Sequence, residues 1–235
     1  MKMKYRVALA LILVLIIITG TACQTVSEHH NTTKLYTAAT DHITEEKITP
    51  LLIAEGIADA GEGAEMTIQI LMTEGKEITD TEPGPFQGTF RTGKFEVIAI
   101  NSSGQELARL PLNDAFGGEE MSFQQDEPFE LLFDDYNDDG QPDFTIGQWG
   151  GSNGNFYCLL TLEPNGFGIL ERNIYSADHY PSIRYAKAGE KAFLNKYYDQ
   201  LEGKYMDVVH RWTDGAFVKD KPVEAKETSS AGISP

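Results

Sequence analysis

Apolar and polar residues alternate along many short segments of the chain, with the period of two that is typical of half-buried β-strands. Residues 65–72 show this most clearly, because every second side chain there is Met or Ile. Strands are also predicted at 94–100, 105–112, 129–133, 144–146, 156–162, 167–170, 204–212 and 216–218, where 129–133 alternates in the same way and 156–162 is a continuous apolar run. The chain therefore belongs to the mainly β class.

Turn sequences separate several of these strands. Asn-Ser-Ser-Gly at 101–104, Glu-Pro-Asn-Gly at 163–166 and Thr-Asp-Gly at 213–215 predict hairpins. Residues 193–198 have both helical and strand-like spacing, and the Gly203 turn after them favours a strand. Residues 48–60 fit a short strand or a helical turn. No period of 20–50 residues recurs, so we expect a single antiparallel β domain over 47–218, built as a sandwich or a meander of hairpins.

The N-terminus has the layout of an export signal. Lys2, Lys4 and Arg6 precede an uncharged apolar run over 7–18, and small residues lead to Cys23. The run is too short for a typical transmembrane helix. The junction resembles the lipobox of bacterial lipoproteins, although Gly20 departs from the aliphatic residue usual there.

This resemblance implies that residues 1–22 are a signal peptide and that Cys23 is diacylated after cleavage. The mature protein would then be membrane-anchored by lipid and extracytoplasmic, on the cell surface or in the periplasm. An ordinary cleaved signal that happens to be followed by a cysteine is the alternative.

The segments that flank the predicted domain are polar and aperiodic. Residues 23–46 have the composition of a flexible linker, and the adjacent His29 and His30 are read as part of it. Residues 219–235 are charged and then rich in Ser, Gly and Pro, which predicts a disordered tail.

The chain is strongly acidic, with 36 Asp and Glu against 19 Lys and Arg and a net charge of −17. Three of the basic residues lie in the predicted signal, so the mature chain would carry −20. Such a surface repels polyanions, which excludes nucleic acid as a partner. With Cys23 acylated, Cys158 is the only thiol. Its apolar neighbours predict a buried structural cysteine rather than a reactive one.

One acidic segment has a spacing suited to a metal ion. Asp135, Asn137, Asp139, Gly140 and Asp143 fit the pattern D-x-[DN]-x-[DN]-G-x-x-D. Alternate short side chains at the start of a tight loop can converge on one point, and the glycine allows the sharp turn. Hard oxygen donors in a flexible ring favour Ca²⁺ over Mg²⁺. The other interpretation is a solvated acidic turn without metal.

This segment resembles the calcium loop of FG-GAP and VCBS-type repeats, over about 20 residues. The resemblance implies side-chain ligands from Asp135, Asn137, Asp139 and Asp143, and a main-chain ligand from Gln141, with Asp134 and Asp138 pointing outward. It does not imply a propeller, because the chain has one copy of the loop. An EF-hand fits less well, since Ile146 stands where the bidentate Glu would be and strands flank the loop.

A Gly-rich stretch follows at 150–154, after Trp149. If Trp149 is exposed, this loop could bind a glycan or a peptide; otherwise its aromatic ring caps the core of a long hairpin. No motif selects a catalytic residue.

We therefore expect a non-catalytic binding module of the cell envelope, stabilised by Ca²⁺, with an envelope protein or a glycan as partner. An envelope inhibitor or immunity-type lipoprotein is the alternative. A glycan hydrolase that uses a carboxylate pair ranks third.

Overall fold

The computed structural model describes residues 50–59, 61, 65–84, 87–124 and 127–226. Within them it contains one short helix, α1 (Leu112–Ala115). The strands are β1 (Leu51–Asp59), β2 (Glu65–Asp80), β3 (Gly88–Asn101), β4 (Glu106–Pro111), β5 (Met121–Gln124), β6 (Phe129–Glu130), β7 (Phe133–Asp134), β8 (Asp143–Trp149), β9 (Asn155–Glu163), β10 (Gly166–Ser176), β11 (Ala186–Lys187), β12 (Ala192–Asp199), β13 (Lys204–Thr213), β14 (Ala216–Lys219) and β15 (Val223–Glu224). The predicted mainly β class is confirmed.

Three features predicted from the sequence lie outside the described residues: the signal peptide 1–22, the acylated Cys23 and the linker 23–46. In the described part of the chain, no helix is long and apolar enough to cross a membrane.

The strands form three sheets, named here A, B and C. Sheet A has the order β4-β3-β2-β1-β6, with β5 also paired to β3. Sheet B has the order β10-β9-β8-β7, and sheet C has the order β11-β12-β13-β14, with β15 also paired to β13. All neighbours are antiparallel except β1 and β6. Consecutive hairpins therefore build most of the fold, as the turn sequences predict.

Sheet B is the middle layer, because its two faces contribute to two different apolar cores. Cys158, Leu160 and Leu162 of β9 pack with residues of sheet A, including Ile70 and Val97. The alternate residues of β9, Tyr157 and Leu159, pack instead in a second core with Phe193 of sheet C. A strand buried on both faces needs an unbroken apolar run rather than alternation, which explains the sequence of β9.

The long β2–β3 hairpin leaves the core at Gly75 and Gly93, which pair across the two strands. Their φ angles, +152° and +158°, lie in a region that L side chains rarely adopt. A β-bulge between Met72 and Glu74 lies next to this pair, and bulges and strand glycines mark places where strands bend. Beyond the glycines, residues 76–80 and 88–92 form an arm, largely exposed along 76–80 and half-buried along 88–92, to which β5 adds a third strand.

Several elements differ from the prediction or extend it, and α1, β5 and β11 were not predicted. Residues 129–133 are not one strand: β6 pairs in sheet A, β7 pairs in sheet B, and the chain crosses between the sheets at Leu131 and Leu132. Alternation alone cannot reveal this change of sheet. Residues 51–59 and 192–199 are both strands, which resolves the two ambiguous segments.

The ordered domain also continues past the predicted boundary at residue 218. β15 pairs with Met206 and Asp207 of β13, and the Ala225 N–H donates to the Tyr205 carbonyl at 2.9 Å. The prediction of disorder from residue 219 was therefore wrong for 219–226, because pairing with a distant strand orders a segment whose own composition is polar. Residues 227–235 lie outside the described residues.

Candidate functional site

The acidic loop 135–143 connects β7 to β8, which pair through Phe133 with Phe144 and Asp134 with Asp143. Gly140 has a φ of +83°, and Asp138, at +51°, also adopts the left-handed region. Glycine and aspartate are among the residues that tolerate this region most readily. The local sequence therefore suits a tight loop held at both ends by the sheet.

The predicted ligand side chains turn back toward the loop backbone. The Asp135 carboxylate accepts hydrogen bonds from the N–H groups of Asp139, at 3.1 Å, and Gly140, at 2.9 Å. The Asp139 carboxylate accepts from the Gln141 N–H at 2.8 Å and from the Asn137 amide at 2.8 Å. The loop thus gathers the polar groups of all of these positions on its own inner side.

Asp143 closes the loop and has an unusual environment. Its side chain is fully buried, and one carboxylate oxygen accepts the Tyr136 N–H at 2.8 Å. The other oxygen, Oδ1, has no hydrogen-bond partner in the described structure. The Thr161 hydroxyl on the paired strand is close, but it makes no hydrogen bond of good geometry and is also unpartnered.

Burial, and to a smaller extent the Asp139 and Asp135 carboxylates, raise the pKa of Asp143 to about 7. The Tyr136 N–H and the Thr161 hydroxyl act in the opposite direction. A buried carboxylate next to two others lacks compensating positive charge within the loop, and a bound cation would supply it.

The donor chemistry fits a hard cation, although the loop is not a preformed cage. Among the described residues, no group of three or more His, Cys, Asp or Glu side chains is arranged so that it could hold a metal ion. The Asp135 and Asp139 carboxylates point to backbone N–H groups, and the Asn137 amide donates to Asp139. Ion binding by Asn137 and Asp139 would therefore require their mutual hydrogen bond to open.

Asp134 and Asp138 were expected to point outward from the loop. The Asp138 carboxylate accepts the Lys191 N–H at 2.7 Å and lies 3.2 Å from the Lys187 Nζ, while Asp134 lies 3.5 Å from the same Nζ. The Lys191 N–H, and then the Lys187 ammonium, lower the pKa of Asp138. These contacts attach the outer side of the loop to β11 and to the turn between β11 and β12 in sheet C.

Tyr136 is a key residue of the loop that sequence reasoning missed. It occupies a variable position of the calcium pattern, yet it is 1% exposed and lies in the core between sheets B and C. Its ring contacts Phe193, with ring centroids 5.4 Å apart, and its hydroxyl accepts the Tyr185 N–H at 2.8 Å. The loop therefore has one polar side that can face an ion and one aromatic side that joins two sheets.

Trp149, predicted as a ligand-binding residue, lies at the other end of β8 and is 60% exposed. It does not cap the core. The Gly150 N–H donates to the Gly154 carbonyl at 3.1 Å, which closes the β8–β9 hairpin beside it. Trp149 borders an open cleft of about 830 Å³.

The acidic loop and the cleft are separate features. Asp143 and Trp149 are the first and last residues of β8, so at about 3.4 Å per residue they are roughly 20 Å apart. An ion bound at the loop would therefore not contact a ligand in the cleft, and its role there would be structural.

Two other titratable groups are buried and inaccessible to a ligand. Cys158 is 1% exposed, as predicted, and burial raises the pKa of its thiol to about 12. His210 is fully buried, its Nδ1 lies 2.7 Å from a Glu171 carboxylate oxygen, and it stacks on Phe193. Neither group is placed for catalysis on a substrate in solution.

Comparison of the chain with protein-family models, with curated proteins and with solved structures found no match.

Proposed function

We propose that this protein is a non-catalytic binding module of the cell envelope whose β domain is stabilised by Ca²⁺ at the loop 135–143. The observation that supports it is the orphaned Oδ1 of the fully buried Asp143, at the closing position of a calcium-type sequence. Burying a carboxylate without compensation is costly, and folds retain such groups where an ion or a proton neutralises them.

The ligands in this proposal are the side chains of Asp135, Asn137, Asp139 and Asp143 and the main chain of Gln141. All are oxygen donors, and three are carboxylates, which is the donor set that Ca²⁺ prefers. When bound, the ion would neutralise the mutual repulsion of these carboxylates. Through Tyr136 and the Asp138–Lys187 contact, the stabilised loop would hold sheet C against sheet B.

Calcium is expected to raise the melting temperature of the full-length protein. Extracellular modules bind Ca²⁺ with dissociation constants of about 10⁻⁴–10⁻³ M. At about 10–100 times that constant, binding contributes about 1.4–2.7 kcal/mol, or roughly 3–10 °C for a domain of this size. A thermal melt in detergent with increasing CaCl₂ would measure the shift.

MgCl₂ at the same concentrations is the control, and it should give a much smaller shift because Mg²⁺ requires a stricter octahedron. No rise with CaCl₂, or equal rises with the two salts, would argue against a calcium site.

The location in the envelope rests on the predicted export signal and on Cys23. Mass spectrometry of the mature N-terminus is expected to find a chain that begins at Cys23 and carries a diacylglyceryl group. A chain beginning at an unmodified Cys23, or elsewhere, would remove the lipid anchor from the proposal but would leave export in place.

A further inference from the structure

The cleft beside Trp149 is a concave surface that the calcium loop does not use. Its walls come from the arm, from β5, from the turn after α1 and from the β8–β9 hairpin. The Ser122 N–H donates to the Gln148 side chain at 2.9 Å, which joins β5 of sheet A to β8 of sheet B at its base. Its volume of about 830 Å³ lies within the range of sites that bind peptides and small molecules.

Aromatic side chains are exposed within this cleft. Trp149 is 60% exposed and Phe156, across the hairpin, is 41% exposed. The Phe156 ring is held in place by Tyr175, with ring centroids 5.1 Å apart. Phe90 of the arm, which is half-buried, also lines the cleft, whereas Phe123 of β5 is only 2% exposed and packs on Phe95 in the core. Large aromatic rings exposed together in a concave site are typical of recognition surfaces rather than of ordinary protein surface.

The charged side chains that line the cleft are carboxylates. Glu119 and Glu120 lie on its wall, both exposed, and no Lys or Arg is among the described residues that line it. His179 is the only lining side chain there that can become cationic. Lys94 interacts with Glu120, but it lies outside the lining and has its own carboxylate partner, Glu74, at 2.9 Å. The strongly negative net charge of the chain adds to this local field.

We propose that this cleft binds a cationic, partly apolar peptide segment and places an Arg or Lys side chain between the aromatic rings and the two carboxylates. A guanidinium over the face of Trp149 would gain a cation–π interaction, and its aliphatic stem would cover Phe156. Glu119 and Glu120 would supply the opposite charge. The inference rests on the proposed function as a binding module, and it names the ligand class of that module.

The chemistry of the lining favours a cation over other ligands. An anionic ligand would face two carboxylates with no described Lys or Arg to pair with it. A neutral saccharide could stack on Trp149, but it would gain nothing from the negative field. Only a cationic ligand uses both the aromatic rings and the charge.

Fluorescence of Trp149 gives a direct assay. The chain has two tryptophans, and Trp212 packs against Phe217, far along the sequence from the cleft. The W212F variant of the full-length protein in detergent therefore leaves Trp149 as the only indole. The probe is the acetylated and amidated peptide Ala-Leu-Arg-Leu-Arg-Ala, titrated at a pH at which histidine is neutral.

We expect a saturable change in Trp149 emission, which weakens as salt is added. The same peptide with citrulline in place of arginine keeps its shape but loses its charge, and should bind about 10-fold more weakly. In the W212F protein, the double substitution Glu119→Gln and Glu120→Gln should weaken binding of the arginine peptide by about 3- to 10-fold. Glu65→Gln with Glu202→Gln makes the same charge change outside the cleft and should leave binding unchanged.

Three outcomes would overturn the inference: equal binding of the arginine and citrulline peptides, equal effects of the two double variants, or no binding of the arginine peptide. Titration with cellohexaose and chitohexaose in the same assay distinguishes failure of the cationic-ligand proposal from failure of the proposed binding function. Saturable binding of a neutral oligosaccharide without arginine selectivity would overturn the cationic ligand and still support a binding module. Melting of the W212F protein with CaCl₂ tests the calcium site independently of either result.

Discussion

Replacing Tyr136 with alanine is expected to destabilise the protein by about 3–5 kcal/mol, the range measured for loss of large aromatic side chains from cores. Tyr136 is almost fully buried, packs against Phe193 and Tyr185, and accepts a hydrogen bond from the Tyr185 N–H. Alanine would leave a cavity between sheets B and C and an unpartnered buried N–H group. Urea unfolding of the full-length protein would measure the loss.

The matched control is Tyr180→Ala. Tyr180 is 65% exposed, and the contact it makes through its main-chain carbonyl, with the Tyr157 hydroxyl, does not need the side chain. We expect a change of less than about 1 kcal/mol there. Equal losses for the two variants would mean that Tyr136 does not join the loop to the core as described.

If the Y136A protein remains folded, it also tests whether calcium binding depends on the packing of Tyr136. The loop backbone and the carboxylates of Asp135, Asp139 and Asp143 would all remain. We therefore expect CaCl₂ still to stabilise the variant, although the variant without calcium is less stable than the wild type without calcium.

Replacing Gly93 with alanine is the second change expected to have a large effect, roughly 2–4 kcal/mol. A Cβ atom at this position would lie 2.0 Å from the Glu74 carbonyl oxygen and 2.5 Å from the Gly75 Cα, and the φ of +158° is unfavourable for alanine. Both obstacles are backbone atoms, so the β2–β3 pairing itself must shift.

Gly84→Ala is the control for this prediction. Gly84 lies in the same hairpin, near its tip, and a Cβ atom there would meet nothing within 4 Å. We expect a change within about 0.5 kcal/mol. Because the arm and β5 form one wall of the cleft, the G93A variant should also lose peptide-dependent Trp149 fluorescence, whereas G84A should keep it. Similar stabilities of the two variants would contradict the close approach of the strands.

The sequence predicted those parts of the fold that depend on nearby residues. The turns at 101–104, 163–166 and 213–215 each join two strands that pair with each other, because a tight turn allows few other arrangements. The spacing of Asp135, Asn137 and Asp139 likewise predicted that these side chains gather on one side of their loop. Local chemistry decides both features.

The features of the fold and of the site that were not predicted depend on contacts between distant segments, which no local sequence pattern records. Asp138 meets Lys187 and Lys191, and Tyr136 meets Tyr185, about 50 positions away in each case. The crossing at Leu131 from sheet A to sheet B is decided by which strand is available for pairing, not by alternation. The cleft is assembled from five separated segments, and only the β8–β9 loop with Trp149 was singled out beforehand.

The central claim, a calcium ion held by Asp143, is tested most directly by the melting temperatures of the wild type, D143N and D134N, each with and without about 10 mM CaCl₂. D134N makes the same charge change at a neighbouring position that is not a proposed ligand. We predict a rise of about 3–10 °C for the wild type and for D134N, and no rise for D143N. D143N without calcium should be at least as stable as the wild type, because an amide replaces an uncompensated buried carboxylate. An equal rise in D143N, or none in the wild type, would contradict the account.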